Sequence, residues 1–186
     1  TPDSRVIEIA DTLRYKRIPC DAIWMDIDYM DGYRIFTFNP QGFPDPKAVN
    51  RDLHLRGFHS VWMIDPGAKA ETGYSVYDSG TANDVWVKTA DGKEYNGDAW
   101  PGKVAWPDFT DPKVCQWWGG LYKDFMAQGV DGVWNDVNEP QVSNTPTGTM
   151  PEDNLHRGGN GIPAGTHLQY HNVYGFLMVK SSREGM

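Results

Sequence analysis

Short apolar runs alternate along this chain with amphipathic stretches, and a proline or glycine stands at almost every changeover. Residues 4–18, SRVIEIADTLRYKRI, put Val6, Ile9, Ala10 and Leu13 at the i, i+3, i+4, i+7 spacing of one helix face, and Pro19 is expected to stop that helix. DAIWMDI (21–27) follows as a strand-length apolar run. DPKAVNRDLHLRG (45–57) reads as a second helix, with Asp45 as cap, Pro46 at the first helical position and Gly57 past the end. HSVWMID (59–65) is a second strand. DPKVCQWWGGLYKDFMAQG (111–129) repeats the helix device, and VDGVWNDV (130–137) is a third strand. HLQYHNVYGFLMVKSSREG (167–185) is a last helix, with Val173, Phe176 and Leu177 on one face. The order α-β-α-β-α-β-α requires parallel strands joined by right-handed helical crossovers.

The connections are unequal. Those that follow helices are a few residues long, around Pro19, Gly57 and Gly129. Those that follow strands are long: residues 28–44, 66–110 and 138–166. Long loops at the carboxyl ends of parallel strands mark the functional face of α/β folds. A nucleotide-binding doubly wound sheet would need a glycine-rich turn directly after a strand, and neither GxGxxG nor GxxxxGK[ST] occurs. The glycine cluster at 158–161 follows no strand and is expected to be a flexible loop. Three strands cannot close an eight-stranded barrel. A barrel reading therefore gives this chain somewhat under half of one.

The 186 residues are read as a single, partial domain spanning 1–186. A net charge of −8 argues against a nucleic-acid partner, and no apolar run reaches the ~20 residues of a membrane span. The chain opens on TPDS without a methionine and ends on SSREGM inside an expected helix, so it is read as a fragment cut at both ends. Aromatics make up 13% of the residues, with eight tryptophans: enough for a well-filled core, and for ring-shaped walls of a cleft. Cys20 and Cys115 lack metal-ligand spacing and are expected to be buried free thiols.

Each expected strand ends in carboxylates: Asp26 and Asp28, then Asp65, then Asp136 and Glu139. One such acid is easily a helix cap; three successive strands ending this way point to a shared task. A period of two places Trp24, Asp26 and Asp28 on one side of their strand, and Trp134, Asp136 and Asn138 on one side of theirs. Clustered carboxylates can hold Mg²⁺ or Ca²⁺, can work as a nucleophile and acid/base pair on a glycosidic bond, or can grip sugar hydroxyls. Asp26-Ile27-Asp28 has the DxD form of metal-dependent glycosyltransferases, but DIDYMDG departs from calcium-loop spacing. His54, His59, His156, His167 and His171 are scattered in sequence and read as structural, so no metal and no cofactor are expected.

The stretches AIWMDIDYMDGYRIFTFNPQGFPDP (22–46), WMIDPG (62–67), WPGKVAWPDFTDP (100–112) and GVDGVWNDVNEP (129–140) together resemble glycoside hydrolase family 31, the α-glucosidase and α-xylosidase family. The resemblance covers most of the chain and implies an α/β fold. It makes this a partial (β/α)8 TIM barrel, from about the first helix to the fourth with three parallel strands, truncated at both ends. It implies a retaining α-glycoside hydrolase with Asp136 as nucleophile. Asp26 would bind sugar hydroxyls, with Ile27, Met63 and Asp65 lining the same pocket and Trp100 and Trp134 as aromatic walls. Asp28, Asn138 and Glu139 would be supporting. The family's acid/base, in a segment resembling WxGD on a later strand, has no counterpart in these residues. The partners implied are an oligosaccharide or α-glycoside substrate and the remainder of the chain's own barrel. A non-catalytic sugar-binding subunit and the DxD transferase remain as alternatives.

Overall fold

The computed structural model describes residues 2–186. In chain order its elements are α1 (Asp3–Tyr15), β1 (Ala22–Met25), α2 (Pro46–Leu55), β2 (His59–Ile64), β3 (Ala68–Lys69), α3 (Ser75–Ala82) and β4 (Asn96–Ala99). They continue with β5 (Gly102–Ala105), α4 (Pro112–Met126), β6 (Gly132–Asn135), β7 (Leu155–His156), β8 (Gly165–Thr166) and α5 (His167–Gly185). The three expected strands are β1, β2 and β6, and they form one sheet in the order β1-β2-β6. β1 and β2 pair in parallel, with Ala22 opposite His59 and Met25 opposite Trp62. This is an open parallel sheet with helical crossovers, not a closed barrel. Among the described residues, no helix is long and apolar enough to cross a membrane.

The chain divides into two compact units. One runs to Ile64 and takes in Asp124–Trp134; the other comprises Asp65–Lys123 and Asn135–Met186.

The first unit is built on aromatic packing. Trp62 is fully buried, and the Tyr29 ring meets it edge-on at 4.8 Å. Phe38 stacks on Phe125 at 5.2 Å, with an interplanar angle of 11°. The Trp62 indole N–H donates to Asn50 Oδ1 at 3.1 Å, and Asn50 Nδ2 donates to the Gln128 carbonyl at 2.8 Å. A buried indole needs such a partner, and so does a buried amide. The α2 start follows the sequence reading: Asp45 accepts from the Ala48 N–H at 2.9 Å, and Pro46 opens the helix. The α1 end does not. The helix stops at Tyr15, and Arg17 takes a positive φ of 55°, so the chain has already turned before Pro19. Arg14 holds this corner. Its guanidinium donates to the carbonyls of Cys20, Arg56 and Gly57 at 2.8–2.9 Å and stacks 3.6 Å over the Phe58 ring.

In the second unit, the connection expected as a loop over 66–110 is largely ordered. β3, β5 and β4 form an antiparallel sheet, β5 in the centre, and α3 precedes β4. Trp86 and Trp106 are buried within this unit. The glycine cluster is also fixed rather than loose. Gly158 N–H donates to Thr110 Oγ1 at 3.0 Å, and Gly159 and Ile162 exchange backbone hydrogen bonds at 2.8 and 3.0 Å. Asp111 accepts from the Lys113 N–H at 2.9 Å at the start of α4, and Val114, Trp118 and Tyr122 are buried along that helix. On α5 the buried face is not the apolar one. Val173 and Phe176 are exposed, and the helix buries His167, Tyr174, Met178, Ser181 and Ser182 instead. Polar hydrogen-bonded residues occupy the packed face, and a search for apolar periodicity passes over them. Cys20 and Cys115 are free as expected, but both are half-buried rather than buried.

Candidate active site

Asp26, Asp65 and Asp136 are each the first residue after a strand of the parallel sheet: β1 ends at Met25, β2 at Ile64 and β6 at Asn135. The strands are therefore shorter than the sequence suggested, and the period-two argument fails beyond their last residues. Asp26 does not share a pleat with Asp28, nor Asp136 with Asn138.

In the first unit, Asp26 has extended backbone, and its carboxylate accepts from the Ile27 N–H at 2.7 Å. That cap starts a single 3-10 turn, Ile27–Tyr29, in which a competing side-chain acceptor has ended the strand. Tyr29 is buried and donates its hydroxyl to the Met63 carbonyl at 2.6 Å. The turn after β1 is thereby tied to the end of β2. Asp26 and Asp28 are exposed, Ile27 is half-buried and Met63 is buried. Trp24 is 60% exposed, an unusual state for so large an apolar ring. It meets Trp134 edge-to-face at 6.1 Å and 72°. The sequence reading included Trp134 among the aromatic walls and left Trp24 out.

In the second unit, Asp65 is buried, and Trp100 sits 66% exposed at the tip of the β4–β5 hairpin, where Ala99 pairs with Gly102. Asp136 and Asn138 are half-buried and Glu139 is exposed. Past Asp136 the chain turns sharply. Val137 has a φ of 45°, Gln141 N–H donates to the Val137 carbonyl at 3.0 Å, and the Glu139–Pro140 peptide is cis. Positive φ at a β-branched residue is uncommon and concentrates at functional turns.

The histidines, scattered in sequence, are gathered by the fold. In the second unit, His156 Nδ1 lies 2.8 Å from Asp108 Oδ1, and His156 Nε2 lies 3.1 Å from His167 Nδ1. His167 Nε2 in turn lies 3.2 Å from Thr149 Oγ1. Asp108, His156 and His167 are all buried. Burial pushes the Asp108 carboxyl up, but His156, the Thr110 hydroxyl and the Arg157 N–H outweigh it and hold it below the usual carboxylate range. His167 is pushed down to about 4, first by burial and then by the charges of His156 and His171. A DFT tripeptide is the only local trace of this network, and it reads equally well as a lead-in to a helix cap. In the first unit, Asp131 accepts from the Ser60 N–H at 2.8 Å, and His54 Nε2 lies 2.7 Å away. Burial raises the Asp131 carboxyl, while Ser60, His54 and His59 lower it by more. Asp131 therefore knits α2, β2 and the entry to β6 together.

The sequence model described as the glycosyl hydrolases family 31 TIM-barrel domain matches residues 1–186. Alpha-glucosidase 2 of Bacillus thermoamyloliquefaciens is 44% identical over 184 residues, 99% of this chain and 23% of that protein. Neutral alpha-glucosidase AB of Homo sapiens is 35% identical over 187 residues, 99% of this chain and 19% of that protein. Among solved structures, the family 31 alpha-glucosidase from Bacteroides thetaiotaomicron is 73% identical with a TM-score of 0.82, covering 100% of this chain and 29% of that one. The Flavobacterium johnsoniae GH31 dextranase, complexed with glucose, is 30% identical with a TM-score of 0.85, covering 100% and 22%. This chain thus spans 23% or less of the length of these two curated relatives. It belongs to glycosyl hydrolase family 31 and represents part of that family's TIM-barrel domain.

Proposed function

We propose that this chain supplies the nucleophile half of a retaining α-glucosidase site, completed by other parts of the catalytic barrel. The observation that carries the reading is the placement of Asp26, Asp65 and Asp136 as the first residues past three strands of one parallel sheet, the position where barrel enzymes carry their chemistry. Relatives named as alpha-glucosidases support the substrate class.

In this reading the Asp136 carboxylate attacks the anomeric carbon, and the bond to the leaving oxygen breaks. A carboxylic acid about 5–5.5 Å from the nucleophile protonates that oxygen, and then deprotonates the water that releases the sugar from Asp136. That acid lies outside residues 1–186. The transition state gathers positive charge at the anomeric centre, which nearby carboxylates stabilise. Asp26 holds sugar hydroxyls in this reading, and Ile27, Met63 and Asp65 are its other candidate substrate-binding residues. Trp100 and Trp134 offer ring faces to the C–H side of the sugar. Asp28, Asn138 and Glu139 support the turns.

The test uses the whole polypeptide to which these residues belong and a simple α-glucoside. Asp136→Asn should lower kcat by about 10³-fold or more, since a covalent route has no substitute nucleophile. Asp26→Asn should raise KM as well as lower kcat. Proton NMR of the first-formed product should show the α-anomer. A β-anomer, or an Asp136→Asn enzyme with ordinary kcat, would remove the reading. Residues 1–186 alone should show no turnover.

A further inference from the structure

Resting on the reading of Asp136 as nucleophile, we infer that α5 and α4 form a backstop for the turn that carries it, with Gly175, Tyr122 and Ser182 as positioning residues. All of them, with Asn135–Asn138, lie in the second unit.

Gly175 sits in the middle of α5. A Cβ built there would lie 2.7 Å from the Asn138 carbonyl oxygen and 3.3–3.4 Å from the Asn138 side-chain amide. A side chain could swing away from such an approach, but a backbone oxygen cannot. Any residue larger than glycine must therefore push either α5 or the turn after Asp136. Helix geometry does not call for glycine at this position, since glycine is among the poorest helix formers. Its value lies in the close approach.

Ser182 is on the same face of α5, seven residues on. It is buried, and its Oγ accepts from the Trp118 indole at 3.0 Å and from the Tyr122 hydroxyl at 2.9 Å. Asn135 Nδ2 donates to that same Tyr122 hydroxyl at 3.4 Å. Burial pushes the Tyr122 phenol up to about 12, so it stays a neutral hydrogen-bonding group rather than an acid or base. Asn135 stands immediately before Asp136, and Asn138 two residues after it. The residue on one side of the acid is held through Tyr122 and the residue on the other side by contact with Gly175. Neither group touches the reacting atoms; together they limit where the carboxylate can sit. A displacement on the order of 1 Å at such a site costs about 10²-fold in rate without any loss of chemical groups.

The experiment compares Gly175→Ala, Tyr122→Phe and Asp136→Asn in the whole polypeptide. It measures kcat and KM on an α-glucoside and Kd for a reversible glucose-shaped iminosugar. Gly175→Ala should lower kcat about tenfold or more and Tyr122→Phe about threefold to tenfold, with iminosugar Kd held within about threefold. A residue that only stabilises the fold would leave kcat per folded molecule unchanged, or would weaken kcat and iminosugar binding together. Either result in both variants overturns the inference. If Gly175→Ala does not fold, Tyr122→Phe, which removes one oxygen, decides. An inactive Asp136→Asn beside fully active Gly175→Ala and Tyr122→Phe would defeat the inference alone. An active Asp136→Asn would defeat the nucleophile reading and the inference with it.

Discussion

Trp62 in the first unit and Asp108 in the second are both fully buried, yet they stabilise their surroundings in opposite ways. Trp62 lies among Tyr29, Phe38 and Phe43 and needs only one hydrogen bond, to Asn50. Asp108 is a carboxylate held by His156, Thr110 and the Arg157 N–H. Apolar burial is non-directional and nearly independent of pH. A buried ionised network depends on each member, because removing one leaves the others unsatisfied. The aromatic core around Trp62 in the first unit is thus held by contacts that hardly vary with pH. The second, which holds the Asp136 turn, is fixed by directional contacts.

Several substitutions would break that contrast, read by hydrogen-exchange mass spectrometry on peptides of each unit in the whole polypeptide. The largest effect is expected from Trp62→Ala, at about 3–5 kcal/mol, a cost typical of a large buried aromatic. Faster exchange should appear across residues 22–64, equally at pH 7 and pH 5. A strongly pH-dependent loss there would show that the Trp62 core also relies on ionised groups.

His156→Ala should cost about 3 kcal/mol, since the buried Asp108 carboxylate loses its hydrogen bond from His156. Its effect should concentrate on residues 107–112 and 154–171. The same network sets the acid response. His167 has a folded value of about 4, below the ordinary histidine value near 6.5, so between these the unfolded state binds more protons than the folded. Stability contributed here is full above about pH 6.5 and is lost as pH falls toward 4. Asp108, lowered in the folded state, adds a further loss only below about pH 4. Peptides spanning 154–171 should therefore loosen between pH 7 and 4.5 before those spanning 22–64. His167→Gln should flatten that dependence, and an unchanged slope in this variant would refute the assignment.

The smallest effect is expected from Asp131→Asn. Its partners His54 and His59 are substantially exposed, and such pairs contribute about 1 kcal/mol or less. A loss as large as that of Trp62→Ala would mean that Asp131 carries the first unit's sheet.

The contrast also explains what could be read from the sequence. Strands β1, β2 and β6 and helices α2, α4 and α5 announce themselves by apolar runs, caps and glycine stops, because local chemistry decides them. Asp45 with Pro46 is such a signal, and the structure bears it out as a cap. The strand ends were misjudged, because Asp26 offers its own carboxylate to the Ile27 N–H and ends the pleat early. The packed face of α5 is not legible in the sequence, because it is chosen by Ser182, Tyr174 and His167, whose partners lie 60 or more residues away or on a separate loop. Gly175 carries no local signal at all, since its requirement is set by Asn138, 37 residues earlier in the chain. The position of the three acids at strand ends is legible because they stand beside strands that could be recognised. The contacts that hold their turns were not, because each joins segments distant in sequence.

The proposed retaining mechanism requires Asp136 to become covalently bonded to the sugar. The whole polypeptide, incubated with a mechanism-based cyclitol epoxide, should lose activity with one equivalent of label. Peptide mapping should place that label on Asp136, within residues 129–140, and a competing α-glucoside should slow its appearance. A label on Asp26 or another carboxylate, or continued hydrolysis with no label at Asp136, would contradict the account.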